Sequence, residues 1–297
     1  MKNYILSIDQ GTTSTRVIIF DKKFNFISSS QKEFKQIFPR DGEVEHDPEE
    51  IYQSVLFTAK DAIRRAKIKP TQIKSIGITN QRETTVLWDK TNGKAIYNAI
   101  VWQDRRTVKF CKNLVQKGFA KKIQKTTGLV VDSYFSASKI NWLLKNVKAA
   151  KKLLKKDRLL FGTIDTWLLW KLTDGQSHYT EATNASRTML FDIKKNQWSK
   201  EMLQIFKVPD KILPIVKDSA DDFGQTTKFG SNIPIQGIAG DQQAATIGQA
   251  CLEPGSIKST YGTGCFMIMN VGSKLKYSKN KLLSTIAYRI KGKNIYA

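Results

Sequence analysis

A polar segment, Asp9–Arg16, separates two short apolar stretches near the start of the sequence. The flanking stretches, Tyr4–Ile8 and Val17–Phe20, are rich in β-branched residues, which is typical of strands. Because the polar segment leads into a strand and lacks the GxxxxGK(S/T) pattern, it is not a Walker A loop. The chain is therefore predicted to begin with a β-hairpin, which a third strand over Phe24–Ser30 extends into an antiparallel meander.

The same polar segment offers hydrogen-bond donors to a phosphate group. Gly11 and the hydroxyl residues Thr12–Thr15 combine short side chains with accessible backbone N–H groups, and Arg16 adds a permanent cation. Asp9 ends an apolar strand, and a carboxylate beside a phosphate-binding loop can hold Mg²⁺, usually through water. A polar hairpin turn that binds nothing is the alternative left open by this segment alone.

The rest of the sequence mixes predicted strands and helices. Asp47 is predicted to cap a helix that begins at Pro48 and carries acidic residues in its first turn. Further helices are predicted over 107–117, 138–146, 149–157, 166–172 and 241–250. Further strands are predicted over 73–79, 84–88, 233–239, 257–261 and 265–271. This mixture predicts an α/β fold in which antiparallel hairpins precede helices.

The composition restricts the class of protein. The 297 residues include 49 Lys and Arg against 26 Asp and Glu, a formal net charge of +23. The densest basic run, Lys145–Lys156, has no interleaved aromatic residues that would stack on bases, so it is interpreted as a solvated face and no nucleic-acid partner is expected. The three cysteines form no CxxC pair, and the sequence has neither a secretory signal nor an apolar stretch of transmembrane length. We therefore expect a cytoplasmic protein without stable membrane insertion.

Asp241 follows one predicted strand and opens a predicted helix. It can be the N-cap of that helix, which is the commoner role for Asp at such a position. It can also be a general base that takes the proton from an attacking hydroxyl. Phosphoryl transfer to an alcohol requires such a base in addition to positioning and charge stabilisation. The local sequence alone favours the cap.

Two further motifs place polar or glycine residues at the ends of predicted strands. Gly262-Thr263-Gly264 is either an ordinary hairpin turn or a second set of backbone donors for phosphate. Arg82 and Glu83 would point to opposite faces of a regular strand. They can contact one small polyol only if the chain is irregular there, as at the predicted strand end. A surface charge pair is the alternative.

Taken together, these segments resemble the glycerol kinases of the FGGY carbohydrate kinase family. The motifs that carry the resemblance run in family order across nearly the whole chain. They are Ile8–Ser14, Glu45–Pro48, Gly77–Thr85, Asn98–Gln103, Phe161–Trp167, Thr183–Met189, Gly237–Ala245 and Tyr261–Phe266. Among them, the motifs at 80–85 and 183–190 point to glycerol rather than a sugar.

The resemblance implies roles for individual residues. The ATP phosphates would contact Thr12, Thr13, Ser14, Arg16 and Thr263. The glycerol hydroxyls would contact Arg82, Glu83, Tyr134, Asp241 and Gln242. Trp102 and Phe266 would pack on the carbon skeleton of glycerol, and Asp9 would help to hold Mg²⁺ through water. Asp241 would be the general base, which reverses the preference for a helix cap.

The resemblance also implies an actin-like ATPase (ribonuclease H-like) fold with a mixed sheet and flanking helices. Residues 1–250 would form the N-terminal FGGY kinase domain, which binds glycerol and phosphate. Residues 251–297 would begin a second, similar domain that is incomplete here. The expected activity is ATP-dependent phosphorylation of glycerol to sn-glycerol 3-phosphate, completed by a C-terminal half that is separately encoded or continuous with this chain. A homo-oligomer is compatible with this expectation.

Two alternatives stay open at this point. The chain is another FGGY sugar kinase, or it is a non-catalytic protein that kept the fold. The loop Gln225–Pro234 contains neither Arg nor His. Control by a sugar bisphosphate or by phosphohistidine, which some family members use near this loop, is therefore not expected.

Overall fold

The first three strands form the antiparallel meander that the sequence predicts. The computed structural model describes residues 3–261, 265–280 and 282–297. In it, β1 (Tyr4–Gln10) pairs with β2 (Ser14–Asp21), and β2 pairs with β3 (Phe26–Glu33). The third strand begins later than predicted because Phe24 has a φ of 62° and belongs to the turn.

Most of the remaining strands are shorter than these. They are β4 (Glu45–His46), β5 (Ile73–Asn80), β6 (Val86–Asp89), β7 (Lys94–Ala95), β8 (Ala99–Ile100), β9 (Leu159–Gly162), β10 (Tyr179–Glu181), β11 (Phe191–Asp192), β12 (Gln197–Trp198), β13 (Ile215–Lys217), β14 (Gln225–Thr226), β15 (Ile233–Gly240), β16 (Ile257–Tyr261), β17 (Cys265–Met269), β18 (Ile286–Ile290) and β19 (Lys293–Tyr296). The largest sheet has the order β14-β15-β5-β1-β2-β3. Its central strands β15, β5 and β1 are parallel and its outer pairs are antiparallel, so the sheet is mixed, as predicted.

Some helices pack on this sheet and others on the shorter strands. They are α1 (Pro48–Arg65), α2 (Val108–Gln116), α3 (Ala120–Thr127), α4 (Ser136–Asn146), α5 (Lys148–Lys155), α6 (Ile164–Leu172), α7 (Ala182–Ala185), α8 (Lys200–Phe206) and α9 (Asp241–Gly248). Asp47 caps α1 as predicted, because its Oδ1 accepts a hydrogen bond of 2.8 Å from the amide of Glu49. The helices α3, α7 and α8 were not predicted from the sequence. Only two residues of α3 are buried and α7 has only four residues, so neither carries a clear apolar period.

Two main hydrophobic cores stabilise the fold. The first packs α1 and α6 against the sheet and includes Trp88 and Trp167, whose ring centroids lie 5.5 Å apart. The second lies under α2, α4 and α8, where Phe135 and Phe206 are buried. Each fully buried aliphatic or aromatic side chain contributes about 1.5–3 kcal/mol relative to an exposed one. Within the described parts of the chain, none of the helices is both long and apolar enough to cross a bilayer.

The segment after α9 makes two hairpins with different surroundings. The hairpin β18–β19 packs on the preceding residues, because Ile286 and Tyr296 share a buried cluster with Ala182 and Phe191. The hairpin β16–β17 leaves apolar side chains exposed on both strands, among them Ile257, Tyr261, Met267 and Met269. The division of the chain near residue 250 stays a prediction.

A pair of glycine variants tests the contact between α3 and the segment before β18. Gly128 has a φ of +75°, and a Cβ there would lie 2.2 Å from the backbone oxygen of Ser284. Gly118 has a φ of +82° with no neighbour within 4 Å. In urea unfolding, Gly118→Ala should lower the free energy of unfolding by about 1 kcal/mol, the penalty for a left-handed L-residue. Gly128→Ala should lower it by about 3 kcal/mol, since steric overlap is added. Equal losses in both variants would contradict this packing.

Candidate functional site

The three parallel strands end at the same level of the sheet. Asn80, the last residue of β5, is in register with Gln10 at the end of β1 and with Gly240 at the end of β15. The turn after β1, the segment after β5 and the start of α9 therefore meet at one edge. These three segments carry most of the site residues predicted from the sequence.

The turn between β1 and β2 exposes some of its hydroxyl residues and buries others. The amide of Gly11 donates to the backbone oxygen of Ser14 at 2.9 Å and closes the turn. Thr13 is exposed, whereas Thr15 is fully buried with its hydroxyl 2.7 Å from that of Ser54. Thr15 is therefore directed into the core and does not contribute to the open face of the turn.

A glutamine on β3 organises the cationic side of this turn. Arg16 is exposed and donates two hydrogen bonds, of 2.7 and 3.0 Å, to Oε1 of Gln31. The amide nitrogen of Gln31 in turn donates to Oγ of Ser14 at 3.0 Å. Gln31 thus holds the guanidinium of Arg16 beside the hydroxyl of Ser14, although no sequence motif singles it out.

Asp9 and Asp241 lie close enough for their charges to interact. Burial raises the pKa of Asp9, and the negative charge of Asp241 raises it further, whereas Arg16 acts in the opposite direction. Two mutually repelling carboxylates beside a hydroxyl-rich turn fit a divalent cation that is held partly through water. In the described residues, no group of three or more His, Cys, Asp or Glu side chains surrounds a common metal position.

Arg82 is the buried cation at the centre of the site. It is only 5% exposed, and its Nε lies 2.8 Å from Oδ1 of Asp241. The Nε–H does not point at that oxygen, so the contact is an ion pair and the donor has no hydrogen-bond partner. Burial opposes the charge of Arg82, but the carboxylates of Glu83 and Asp241 outweigh it and raise its pKa. A Cβ on Gly240 would lie 2.6 Å from Cδ of Arg82, so this approach requires glycine.

Glu83 has the irregular backbone that a shared ligand requires. Its φ is 62° and it lies outside the strands β5 and β6. Its carboxylate is buried and accepts a bond of 2.6 Å from Nε of Arg187. Nε of Arg82 lies 4.0 Å from Oε1 of Glu83, so the two charged groups are neighbours. The alternative of a surface charge pair is wrong, because both are buried.

Aromatic side chains form one wall of this space. The ring of Trp102 lies 5.3 Å from that of Tyr134 and 6.3 Å from that of Phe266. The indole nitrogen of Trp102 donates a bond of 2.9 Å to the hydroxyl of Thr12, which links the wall to the turn after β1. Burial raises the pKa of Tyr134 to about 12, so its hydroxyl stays protonated and can donate.

Asp241 is not the N-cap of α9. Gly240 occupies the cap position, and Asp241 is the first helical residue. Its Oδ1 accepts a hydrogen bond of 2.7 Å from the backbone amide of Gln242. Its side chain is 36% exposed and so remains accessible. The helix-cap interpretation favoured by the local sequence is therefore wrong.

Two buried cations were missed by the sequence analysis as site residues. Lys258 on β16 donates a bond of 2.6 Å to Oε1 of Gln242. Burial lowers the pKa of Lys258, and the carboxylate of Asp241 partly offsets this. Arg187 pairs with Glu83 and lies in a motif that was already noticed, whereas nothing in the sequence around Lys258 distinguishes it from a surface lysine. Thr263 lies outside the described residues.

The assembled edge combines complementary chemistry. It presents an accessible carboxylate, Asp241, next to a buried guanidinium with a free donor. It also presents a second carboxylate, that of Glu83, together with an aromatic wall and a turn rich in hydroxyl groups. Such a site can bind a small polyol and hold one of its hydroxyls near a phosphate group.

Known proteins resemble this chain closely. It is 58% identical to a glycerol kinase of Sinorhizobium fredii and 55% identical to glycerol kinase 2 of Thermotoga maritima, and it spans 60% of the length of each. The crystal structure of Plasmodium falciparum glycerol kinase with ADP has a TM-score of 0.94 at 41% identity, covering 99% of this chain and 60% of that one. A gluconate kinase from Lactobacillus acidophilus has a TM-score of 0.88 at 21% identity, which shows the fold alone.

These likenesses confirm the predicted actin-like ATPase fold. Residues 4–248 match the N-terminal domain of the FGGY family of carbohydrate kinases. The chain therefore belongs to the FGGY family of carbohydrate kinases.

Proposed function

We propose that this chain supplies the acceptor site and part of the phosphate site of a glycerol kinase, which transfers the γ-phosphate of ATP to glycerol and yields sn-glycerol 3-phosphate. The observation that carries the proposal is the ion pair between the buried Arg82 and the accessible Asp241, 2.8 Å apart, beside the hydroxyl-rich turn. The 58% identity to the Sinorhizobium fredii glycerol kinase supports glycerol as the acceptor.

Glycerol is small and neutral, so it must be held by directed hydrogen bonds. The unpartnered Nε–H of Arg82 supplies a donor and the carboxylate of Glu83 an acceptor. Tyr134 and Gln242 add polar contacts, and Trp102 packs with Phe266 on the carbon skeleton. A buried polar site of this kind discriminates strongly against analogues that lack one hydroxyl.

Asp241 acts as the general base in the proposed reaction. Its carboxylate accepts the proton of the terminal hydroxyl while that oxygen forms a bond to the γ-phosphorus. The bond from that phosphorus to the bridging oxygen breaks, and ADP leaves with the electron pair. Arg82 fixes the carboxylate next to the acceptor hydroxyl.

The turn after β1 binds the phosphates of ATP in this proposal. The contacts are made by Thr12, Thr13, Ser14 and Arg16, with Thr263 as a second nucleotide contact. Asp9 would hold Mg²⁺ through water, and the ion, when bound, would supply positive charge to the phosphate oxygens. Residues 1–250 form the acceptor domain, and residues 251–297 begin the domain that a C-terminal half completes, in the same chain or in a separate one. We assign the enzyme to the cytoplasm, with no nucleic-acid partner.

An acceptor panel tests the proposed function. Because the chain spans 60% of the Sinorhizobium fredii relative, assays use the chain alone and the chain joined after Ala297 to the rest of that relative. ATP-dependent product formation is compared for glycerol, D-xylulose and gluconate. Glycerol should give the highest kcat/KM. Faster turnover of D-xylulose or gluconate would contradict glycerol as the acceptor.

Asp241→Asn removes the proposed base while preserving the size of the side chain. Turnover in the active form should fall by about 10²- to 10⁴-fold, the usual contribution of a positioned base. Glycerol KM should change far less. Initial rates measured against glycerol at saturating ATP give both values, and a loss of turnover below tenfold would show that Asp241 is not the base.

Glu83→Gln tests the acceptor contact separately from chemistry. Loss of a charge-assisted hydrogen bond should raise glycerol KM by about 10- to 100-fold. Glu45→Gln is the matched control. Glu45 is also buried and accepts a hydrogen bond of 2.7 Å from Arg106, but it is not among the residues of the acceptor space. Both variants should lose thermal stability. An equal increase of glycerol KM in both would reject a direct contact of Glu83 with glycerol.

A further inference from the structure

One buried carboxylate outside the acceptor site receives an unusual number of hydrogen bonds. Glu181 at the end of β10 is fully buried and forms no ion pair within the described residues. Its two oxygens accept hydrogen bonds from both the amide and side chain of Thr183, from both those of Asn184, and from the hydroxyl of Ser219. Burial raises its pKa to about 7, although the bonds from Thr183 and Asn184 act in the opposite direction. Glu181 is the N-cap of α7, and the cap uses only the bonds from the backbone amides of Thr183 and Asn184. A buried acid without a counter-cation is costly, and capping alone does not require the three side-chain donors.

The first set of these bonds leads to Asp241. The hydroxyl of Thr183 donates its only hydrogen to Glu181, so its oxygen remains free to accept. It accepts a bond of 2.8 Å from the amide of Gly240. Gly240 is the N-cap of α9 and directly precedes Asp241. The position of the proposed base is therefore fixed by a bond whose direction is set by Glu181.

The second set leads to Arg82 and Glu83. The side-chain amide of Asn184 donates to Glu181 at 3.1 Å, and its backbone amide donates at 2.7 Å. The same side chain forms a reciprocal pair with that of Asn80, with bonds of 3.0 and 3.1 Å. Asn80 ends β5 and also donates 2.9 Å to the backbone oxygen of Gln81, at the start of the irregular segment.

We propose that Glu181 is a positioning residue that aligns both halves of the acceptor site. Through Thr183 it fixes the start of α9 with Asp241, and through Asn184 it fixes the segment with Arg82 and Glu83. It does not touch the acceptor. The geometric part of this inference is independent of the substrate, whereas its effect on glycerol rests on the proposed function.

A carboxylate is required because every neighbour donates. In Glu181→Gln, one acceptor oxygen is replaced by an NH₂ group that faces donors. If it replaces Oε1, it opposes the Thr183 hydroxyl and both donors of Asn184, and if it replaces Oε2, it opposes the backbone amide of Thr183. Either orientation breaks a bond to the segment that carries Thr183 and Asn184, so the bonds from these residues to Gly240 and Asn80 weaken. Thr183→Val removes only the branch to Gly240, and Thr183→Ser keeps it.

The neighbouring Thr180 provides a matched control. It is also buried, and its hydroxyl donates 2.7 Å to Asp165, a second fully buried carboxylate. Asp165 also accepts a hydrogen bond from the hydroxyl of Thr163, and within the described residues neither Asp165 nor Thr180 has a side-chain hydrogen bond to the strand ends that carry the site. Thr180→Val therefore removes a comparable hydrogen bond without changing either branch from Glu181.

Two measurements on the 297-residue chain test the inference. Amide hydrogen exchange is followed over residues 80–84 and 240–242, and glycerol affinity is measured by calorimetry. Glu181→Gln should accelerate exchange at least tenfold in both segments and raise the glycerol Kd at least tenfold. Thr183→Val should accelerate exchange over 240–242 only. Thr183→Ser should behave as wild type, and Thr180→Val should lower Tm without changing either readout.

The outcomes separate the two proposals. Unchanged exchange at both segments in folded Glu181→Gln overturns the positioning role. If that variant does not fold, equal exchange over 240–242 in Thr183→Val and Thr183→Ser overturns the role instead. Glycerol that fails to bind the wild-type chain counts against the proposed function, whereas the exchange data still decide the role of Glu181.

Discussion

The parallel register of β1, β5 and β15 is the constraint on which the site depends. Parallel strands place their carboxyl ends at the same edge of a sheet, and here Gln10, Asn80 and Gly240 end level. The turn, the irregular segment and the helix that follow these strands are far apart in sequence. A shift of one residue in either pairing would move Arg82 away from Asp241 and turn the strand side chains to the opposite face.

The buried charges near these strand ends stabilise each other and carry a cost. Arg82 interacts with Asp241 while Arg187 binds Glu83, and both arginines and Glu83 are removed from water. Buried ion pairs rarely add net stability compared with apolar packing. Their value in this protein is preorganisation, because the polar groups already stand where the acceptor would bind and need little rearrangement.

Much of the scaffold is predictable from local sequence. Apolar β-branched runs identified β1 and β2, and the Asp-Pro start with two acidic residues identified α1, because these signals act within a few residues. Strand periodicity made an irregular backbone at Arg82 and Glu83 the condition for a shared ligand, and the φ of 62° at Glu83 meets that condition. The helix α3 was not predicted because it has only two buried residues. Its position depends on the contact of Gly128 with the distant Ser284.

The details of the site were less accessible from sequence because they arise from long-range contacts. Asp241 looked like a helix cap, but the cap residue is Gly240, which packs closely on Arg82. Lys258 looks like any exposed lysine of a basic protein until β16 brings it to Gln242. Family resemblance predicted the acceptor residues, and the three-dimensional contacts explain how distant segments hold these side chains together.

The most direct test is the location of glycerol in a crystal of this chain, grown with glycerol and an ATP analogue and frozen in oil. One terminal hydroxyl should lie within about 3 Å of both the Asp241 carboxylate and Nε of Arg82. The carbon skeleton should lie against Trp102. Glycerol bound with its hydroxyls away from Asp241, or absent from this edge while bound elsewhere, would contradict the account.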